Sequence, residues 1–138
     1  MSTPHEKRGP LPNSDHIRSV YSRYVDLVSA GDSDAVAALY AQDATLEDPI
    51  GAPLQRGREA IRAFYKNSAG AVKLALSGPV RACGREAAAP MIATLQGADG
   101  RRAYIDIIDV MTFGEDGLIT SMRAFWSPEA IRRESSEA

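Results

Sequence analysis

Two alternating runs near the C-terminal end constrain this chain more than any other feature. Arg102 to Phe113 (RAYIDIIDVMTF) and Leu118 to Trp126 are each long enough for a strand, and Gly114, Glu115, Asp116 and Gly117 between them form a hairpin signal. A chain that must accommodate such a pair builds antiparallel sheet. Upstream, Val72, Leu74 and Leu76 alternate, and Ser77, Gly78 and Pro79 mark a turn or bulge. Met91, Ala93 and Leu95 alternate again, and Gly97 to Gly100 supplies another hairpin loop. The second half of the chain therefore reads as a meander.

The first half has a different period. From Ser14, the residues Ile17, Val20, Tyr21, Tyr24, Leu27 and Val28 recur at the spacing of one helix face, with Gly31 as the C-cap. Asp32 or Ser33 can cap a shorter second helix with Val36, Leu39 and Tyr40 on one face, giving way near Gln42 and Asp43. Thr45 to Asp48 precedes Pro49, which disfavours helix for the residue before it, so this stretch is expected to be extended. A third helix is expected from Arg58 to Ala69, with Ile61, Phe64 and Tyr65 on one side and Gly70 closing it. Helices first and a meander afterwards give an α+β domain, whose bent sheet offers a concave side for an apolar pocket.

At 138 residues the chain is expected to form one domain over 14–127, with a flexible N-terminal tail at 1–13 and a polar C-terminal tail at 128–138. The 16 basic and 18 acidic residues leave a formal net charge of -2, which gathers no phosphate backbones, so no nucleic acid partner is expected. No stretch approaches the roughly 18 apolar residues of a spanning helix, and Met1 to Asn13 lacks the apolar region of a secretory signal, so no membrane insertion is expected. Cys83, the one cysteine, has no partner for an intrachain disulfide and reads as a small apolar residue in a reducing compartment. A cytoplasmic location follows as the expectation.

Splitting Arg102 to Phe113 by period two places Ala103, Ile105, Ile107, Asp109, Met111 and Phe113 on one face. If that face points inward, Asp109 is desolvated with no cationic neighbour on its strand, and burial favours its neutral, hydrogen-bond-donating form. The alternative is an Asp paired with an Arg elsewhere or exposed on an edge. Tyr24, Tyr40 and Tyr65 each fall on an inward helical stripe; each either packs in the core or joins a chain of hydroxyls that strengthens its terminal donor. Asp48 follows Leu46 at a period-two interval before a proline-bounded loop, and is either a turn residue or a carboxylate base at a pocket rim. Trp126 shares a period-two face with Leu118, Thr120, Met122 and Ala124, and its indole N–H needs an acceptor if buried. His5 and His16 are too few and too peripheral for a histidine metal cluster or a Ser-His-Asp site, and no phosphate-cradling glycine motif occurs. What remains is carboxyl and phenol chemistry.

The blocks RYVDLVSAGD, LYAQDATLEDPIG, GREAIRAFY, GPVRA, IDIIDVMTF and MRAFW follow one another from about Ile17 to Trp126. In that order they resemble the ketosteroid isomerases, a family of the nuclear transport factor 2-like superfamily. The resemblance implies a cone-shaped α+β roll, with three N-terminal helices packed on a strongly curved, mainly antiparallel sheet, a homodimer, and no metal or organic cofactor. It also implies that Asp48 is the general base, Tyr24 the phenol of the oxyanion hole and Asp109 its protonated partner, the last being a known property of these isomerases. Tyr40 and Tyr65 would extend the phenol network, and Trp126 would help to position the base. The implied reaction moves the double bond of a 3-oxo-Δ5-steroid into conjugation with the ketone through a dienolate. Phe64, Met91, Met122 and Trp126 are expected to bury the steroid rings. The stretch CGREAAAPM, with Arg85 and Glu86, departs from the family pattern. Two other functions fit the same outline: another enzyme of the superfamily, such as an epoxide hydrolase, dehydratase or polyketide cyclase, and a non-catalytic binder of hydrophobic small molecules.

Overall fold

The computed structural model describes residues 12–134; the expected N-terminal tail lies outside them except for its last two residues. Helix α1 (Ser14–Ala30) starts where the Asn13 side chain accepts the His16 N–H at 2.9 Å, satisfying an otherwise orphaned amide. It buries Ile17, Val20, Tyr21, Tyr24 and Val25 and ends at Gly31, whose φ of 73° suits glycine. Helix α2 (Ser33–Ala37) is capped by Asp32, which accepts the Ala35 N–H. Helix α3 (Arg58–Asn67) buries Ile61 and Tyr65 and stops two residues before the expected end.

One expectation for this half fails. The second helix does not carry Tyr40; it ends at Ala37, and Tyr40 opens strand β1 (Tyr40–Glu47). Long-range pairing overrides the local helical spacing, because the Ile119 N–H bonds the Leu39 carbonyl at 2.9 Å and Tyr40 lies opposite Ile119 in a parallel ladder. The Arg58 guanidinium then donates to the Tyr40 carbonyl at 2.7 and 3.0 Å, tying the start of α3 to the start of β1. Tyr40 still faces the core, fully buried.

After β2 (Gln55–Arg56) and α3, the chain forms β3 (Val72–Leu76), β4 (Arg81–Cys83), β5 (Glu86–Gln96), β6 (Arg102–Phe113), β7 (Ile119–Phe125), a 3-10 turn (Pro128–Ala130) and β8 (Ile131–Arg133). The described strands form one sheet in the order β2-β1-β7-β6-β5-β3, with β4 on β5 and β8 on β6. Only β1 and β7 run parallel among these pairs. The β5–β6 hairpin is the spine, and each of its strands has two short partners on its outer edge. Pro90, which has no N–H to donate, sits in the gap between β3 and β4, where Leu76 pairs with Met91 and Arg81 with Ala88.

Four further expectations change. Strand β5 begins at Glu86 rather than Met91, because Ala87 and Ala89 are buried inward although their small side chains carry little hydrophobic signal. Strand β7 contains a bulge: Thr112 pairs with Ser121 and Phe113 with Ile119, so Thr120 is an extra residue. The inward set is therefore Ile119, Met122 and Ala124, and the period-two face drawn through Leu118 and Thr120 breaks at the bulge. Finally, the expected polar tail from 128 instead returns to the sheet, with Ala103 paired to Arg133 and Glu134 N–H bonded to the Arg102 carbonyl at 2.9 Å. Cys83 is exposed on β4, not buried as a small apolar residue would be. Helices α1 and α3 cover the concave inner face, where each fully buried residue such as Ile17, Tyr40, Leu46 or Phe113 contributes roughly 1.5–3 kcal/mol.

Candidate active site

Between α1, α3 and the inner face of β3, β5 and β6 lies a cavity of about 240 Å³. The polar side chains in its wall are Tyr24, Asp48, Tyr65, Ser68, Asp109 and Trp126; the rest is apolar, including Val28, Phe64, Leu74, Leu95 and Ile107. Among the described residues, no Lys, Arg or His lines it. A cavity of this kind gives a bound molecule strong electrostatic contacts at a few points and hydrophobic contact elsewhere.

Asp109 stands on the inward face of β6, 2% exposed, and its Oδ1 is buried with no hydrogen-bond partner among the described residues. Burial, and secondarily the charge of Asp48, pushes its carboxyl well above the ordinary carboxylate range. With no Lys, Arg or His among the described residues that line the cavity, the loss of water is not offset and favours the neutral form, which carries an O–H to donate.

The three phenols do meet. Tyr65, from α3, lies 3.0 Å from the hydroxyl of Tyr24, from α1, and 2.6 Å from that of Tyr40, from β1. Burial is the first cause that keeps all three well above the usual phenol range, so each retains its proton. A relay in which Tyr40 donates to Tyr65 and Tyr65 to Tyr24 leaves the Tyr24 proton free for the cavity, and each bond polarises the next.

Asp48 follows the last residue of β1, half-buried at the cavity wall, and its Oδ1 accepts the Trp126 indole N–H at 2.9 Å. Burial raises its carboxyl and the indole bond lowers it, a balance that Asp109 lacks. Of the two acids, Asp48 ionises first. The turn that follows is held by the Ile50 N–H on the Ala124 carbonyl and by Glu47, which accepts the Gly51 N–H.

Of the residues expected to bury a ligand, Phe64 and Trp126 line the cavity, but Met91 and Met122 do not. Both methionines are 1% exposed inside the core cluster. The wall instead uses Val28, Val72, Leu74, Leu95, Ile105 and Ile107, which sequence reasoning did not single out. Ile105 and Ile107 carried a usable signal, because they share the period-two face of Asp109.

The fold and the site together define a cone-like α+β roll whose helices and curved sheet enclose an apolar cavity furnished with two unlike carboxyls. The chain belongs to the SnoaL-like domain family, whose model matches residues 21–122. It is 49% identical to a steroid Delta-isomerase from Nocardioides simplex over 115 residues, 83% of this chain and 93% of that protein. It is 30% identical to the epoxide hydrolase LasB from Streptomyces lasalocidi across 85% of this chain, which spans 49% of that protein. A solved structure of the epoxide hydrolase/cyclase-like enzyme SalBIII, from work on pyran ring formation in the polyether salinomycin, superposes with a TM-score of 0.80 at 29% identity. That match covers 88% of this chain and 98% of the other.

Proposed function

We propose that this protein is a steroid Δ-isomerase that converts 3-oxo-Δ5-steroids to the conjugated 3-oxo-Δ4 form. The observation that carries the reading is the buried Asp109 oxygen left without a partner in the same cavity as Tyr24 and the indole-held Asp48. A neutral acid and a phenol are donors waiting for an acceptor, and an ionised acid is a base. The 49% identity to a steroid Delta-isomerase supports the same reading.

In this mechanism the Asp48 carboxylate removes the proton from the carbon between ketone and alkene, and the electron pair moves onto the ketone oxygen as a dienolate. Tyr24 and Asp109 donate to that oxygen, each such donor being worth on the order of a hundredfold to a thousandfold in rate. Asp48 then returns its proton two carbons further along, so a single carboxylate serves as base and acid. From Asp109 to Ile105 the cavity wall follows four residues of β6, about 13 Å at strand rise, which suits the length of a fused four-ring skeleton. The apolar wall buries those rings at roughly 25 cal/mol per Å².

Two further parts of the reading concern the whole protein. The outer face of the sheet carries Ile108 opposite Phe125, 48% and 41% exposed, and supports a homodimer built face to face. No helix among the described residues is long and apolar enough to cross a membrane, and with the free Cys83 this supports a cytoplasmic enzyme.

The test is the growth of conjugated-enone absorbance when the protein meets a 3-oxo-Δ5-steroid. Asp48→Asn should lower the rate by several orders of magnitude while steroid still binds. Tight binding without double-bond migration by the unmodified protein would reject the isomerase and leave a non-catalytic binder.

A further inference from the structure

Tyr21 stands three residues before Tyr24 on α1, fully buried, and is absent from the cavity wall. Its hydroxyl donates to the Ala87 carbonyl at 2.8 Å and to the Asp109 carbonyl at 3.1 Å. Ala87 lies on β5 and Asp109 on β6, where Ala89 pairs with Asp109 and Ala87 with Met111. One phenol thus bridges the central strands at the residue that carries the buried acid. Ala87 and Ala89, on either side of this bridge, are buried in the same core cluster as Tyr21.

The carboxyl of Asp109 has little else to aim it. Its Oδ1 meets no donor or acceptor among the described residues, and among these its direction is set by its own backbone and by the packing around it. Carbonyl and side chain of one residue are joined through a single Cα, and fixing the first fixes the height and azimuth from which the second enters the cavity. We propose that Tyr21 is a positioning residue for Asp109. Helix α1 supplies the Tyr24 hydroxyl and, one turn earlier, fastens the strand that supplies the second donor. The spacing of the two donors then depends on one helical turn, a stiff element, rather than on a loop.

The kinetic part of the test rests on the isomerase reading. Tyr21→Phe keeps the ring and removes the hydroxyl. Its kcat should fall about tenfold at unchanged KM, a loss between that of a neutral hydrogen bond and that of a whole oxyanion donor. In an Asp109→Ala background the same change should cost no further kcat, because no acid remains to be positioned, while the melting temperature falls equally in both backgrounds. An unchanged kcat in the unmodified protein, or an equal loss in both backgrounds, overturns the proposal. A second readout needs no turnover: the infrared carbonyl stretch of the neutral Asp109 acid in the ligand-free protein should shift in Tyr21→Phe, and an unmoved band also overturns it. If Tyr21→Phe does not fold, 4-fluorophenylalanine at position 21 fills the space of the hydroxyl without its proton to donate, and the same band shift is expected of it. A protein that isomerises no steroid but shows the shift loses the proposed reaction and keeps the positioning role.

Discussion

Asp48 and Asp109 share a cavity and one chemical identity, yet burial raises the carboxyl of Asp109 well above the ordinary range, whereas at Asp48 the indole bond works against the rise. Asp48 holds an indole N–H that favours its charge; Asp109 is more deeply buried, and its Oδ1 has no partner among the described residues. Trp126→Phe removes the opposing influence and leaves burial to act alone on Asp48. The acid limb of kcat/KM against pH, which reports protonation of the free enzyme's base, should move to higher pH in this variant, with kcat several-fold lower. Asp109 makes a separate claim about stability. Its carboxyl is raised in the folded state, so the native protein holds more protons than the unfolded chain between the unfolded value, about 3.9, and the folded one. Stability from this group is complete below about pH 4 and declines as pH rises through that window. Asp109→Asn, close in shape and unable to ionise, should therefore match the parent in melting temperature near pH 3 and exceed it near pH 7. Thermal melts of both proteins across that range check this, and a constant difference at every pH would contradict it. The same substitution should lower kcat, because an amide is a weaker donor than a neutral acid.

Three elements meet in the phenol relay, and its energetics belong to their packing rather than to any one side chain. Tyr65 on α3 occupies the middle, so Tyr65→Phe deprives Tyr24 of the neighbour that polarises it, whereas Tyr40→Phe removes only the far end. Steady-state kinetics should show a larger kcat loss for Tyr65→Phe than for Tyr40→Phe, and almost no added loss when the two are combined. The junction of α1 with the end of α3 is tested by Gly31→Ala. Its φ of 73° is unfavourable for alanine and the added Cβ would lie 3.1 Å from the Gly70 nitrogen. A loss of about 1–2 kcal/mol in denaturant unfolding is expected. These elements were unequally legible in the sequence. Helix α1 and strand β6 could be read because period and burial coincide along their length, and Tyr24 and Asp109 inherit that clarity. Tyr40 could not be placed, because its own place in the sheet comes from pairing with Ile119, some eighty positions later. Strand β5 was hidden by small alanines and β7 by a bulge that shifts its inward period. The contacts among phenols, and the indole bond to Asp48, depend on distances between elements, which no local period encodes.

At the scale of the whole molecule the sheet has two faces of different character. The inner face is covered by α1 and α3 and encloses the cavity; the outer face bears Ile108 and Phe125 in register, with Pro90 paired to Ile108 and Ala88 to Val110 beside them. Its margins are charged: Arg132 pairs with Asp106 and lies 5.4 Å from the Tyr104 ring centroid, and Arg123 lies at the same distance from Phe125. An apolar centre with a polar border is the anatomy of an interface, and a two-fold interface uses one patch twice. A charge placed near its centre is therefore introduced in both copies and is desolvated next to its own image. Ile108→Asp should convert the proposed dimer to a monomer, read as a halved mass in sedimentation equilibrium. Because Ile108 points away from the cavity, circular dichroism of the monomer should retain the parent's secondary structure. Its steroid turnover measures how far the curvature of β6, and with it the aim of Asp109, relies on the second copy. A parent that sediments as a monomer at every concentration would remove the outer face from the account of function and leave the inner face unaffected.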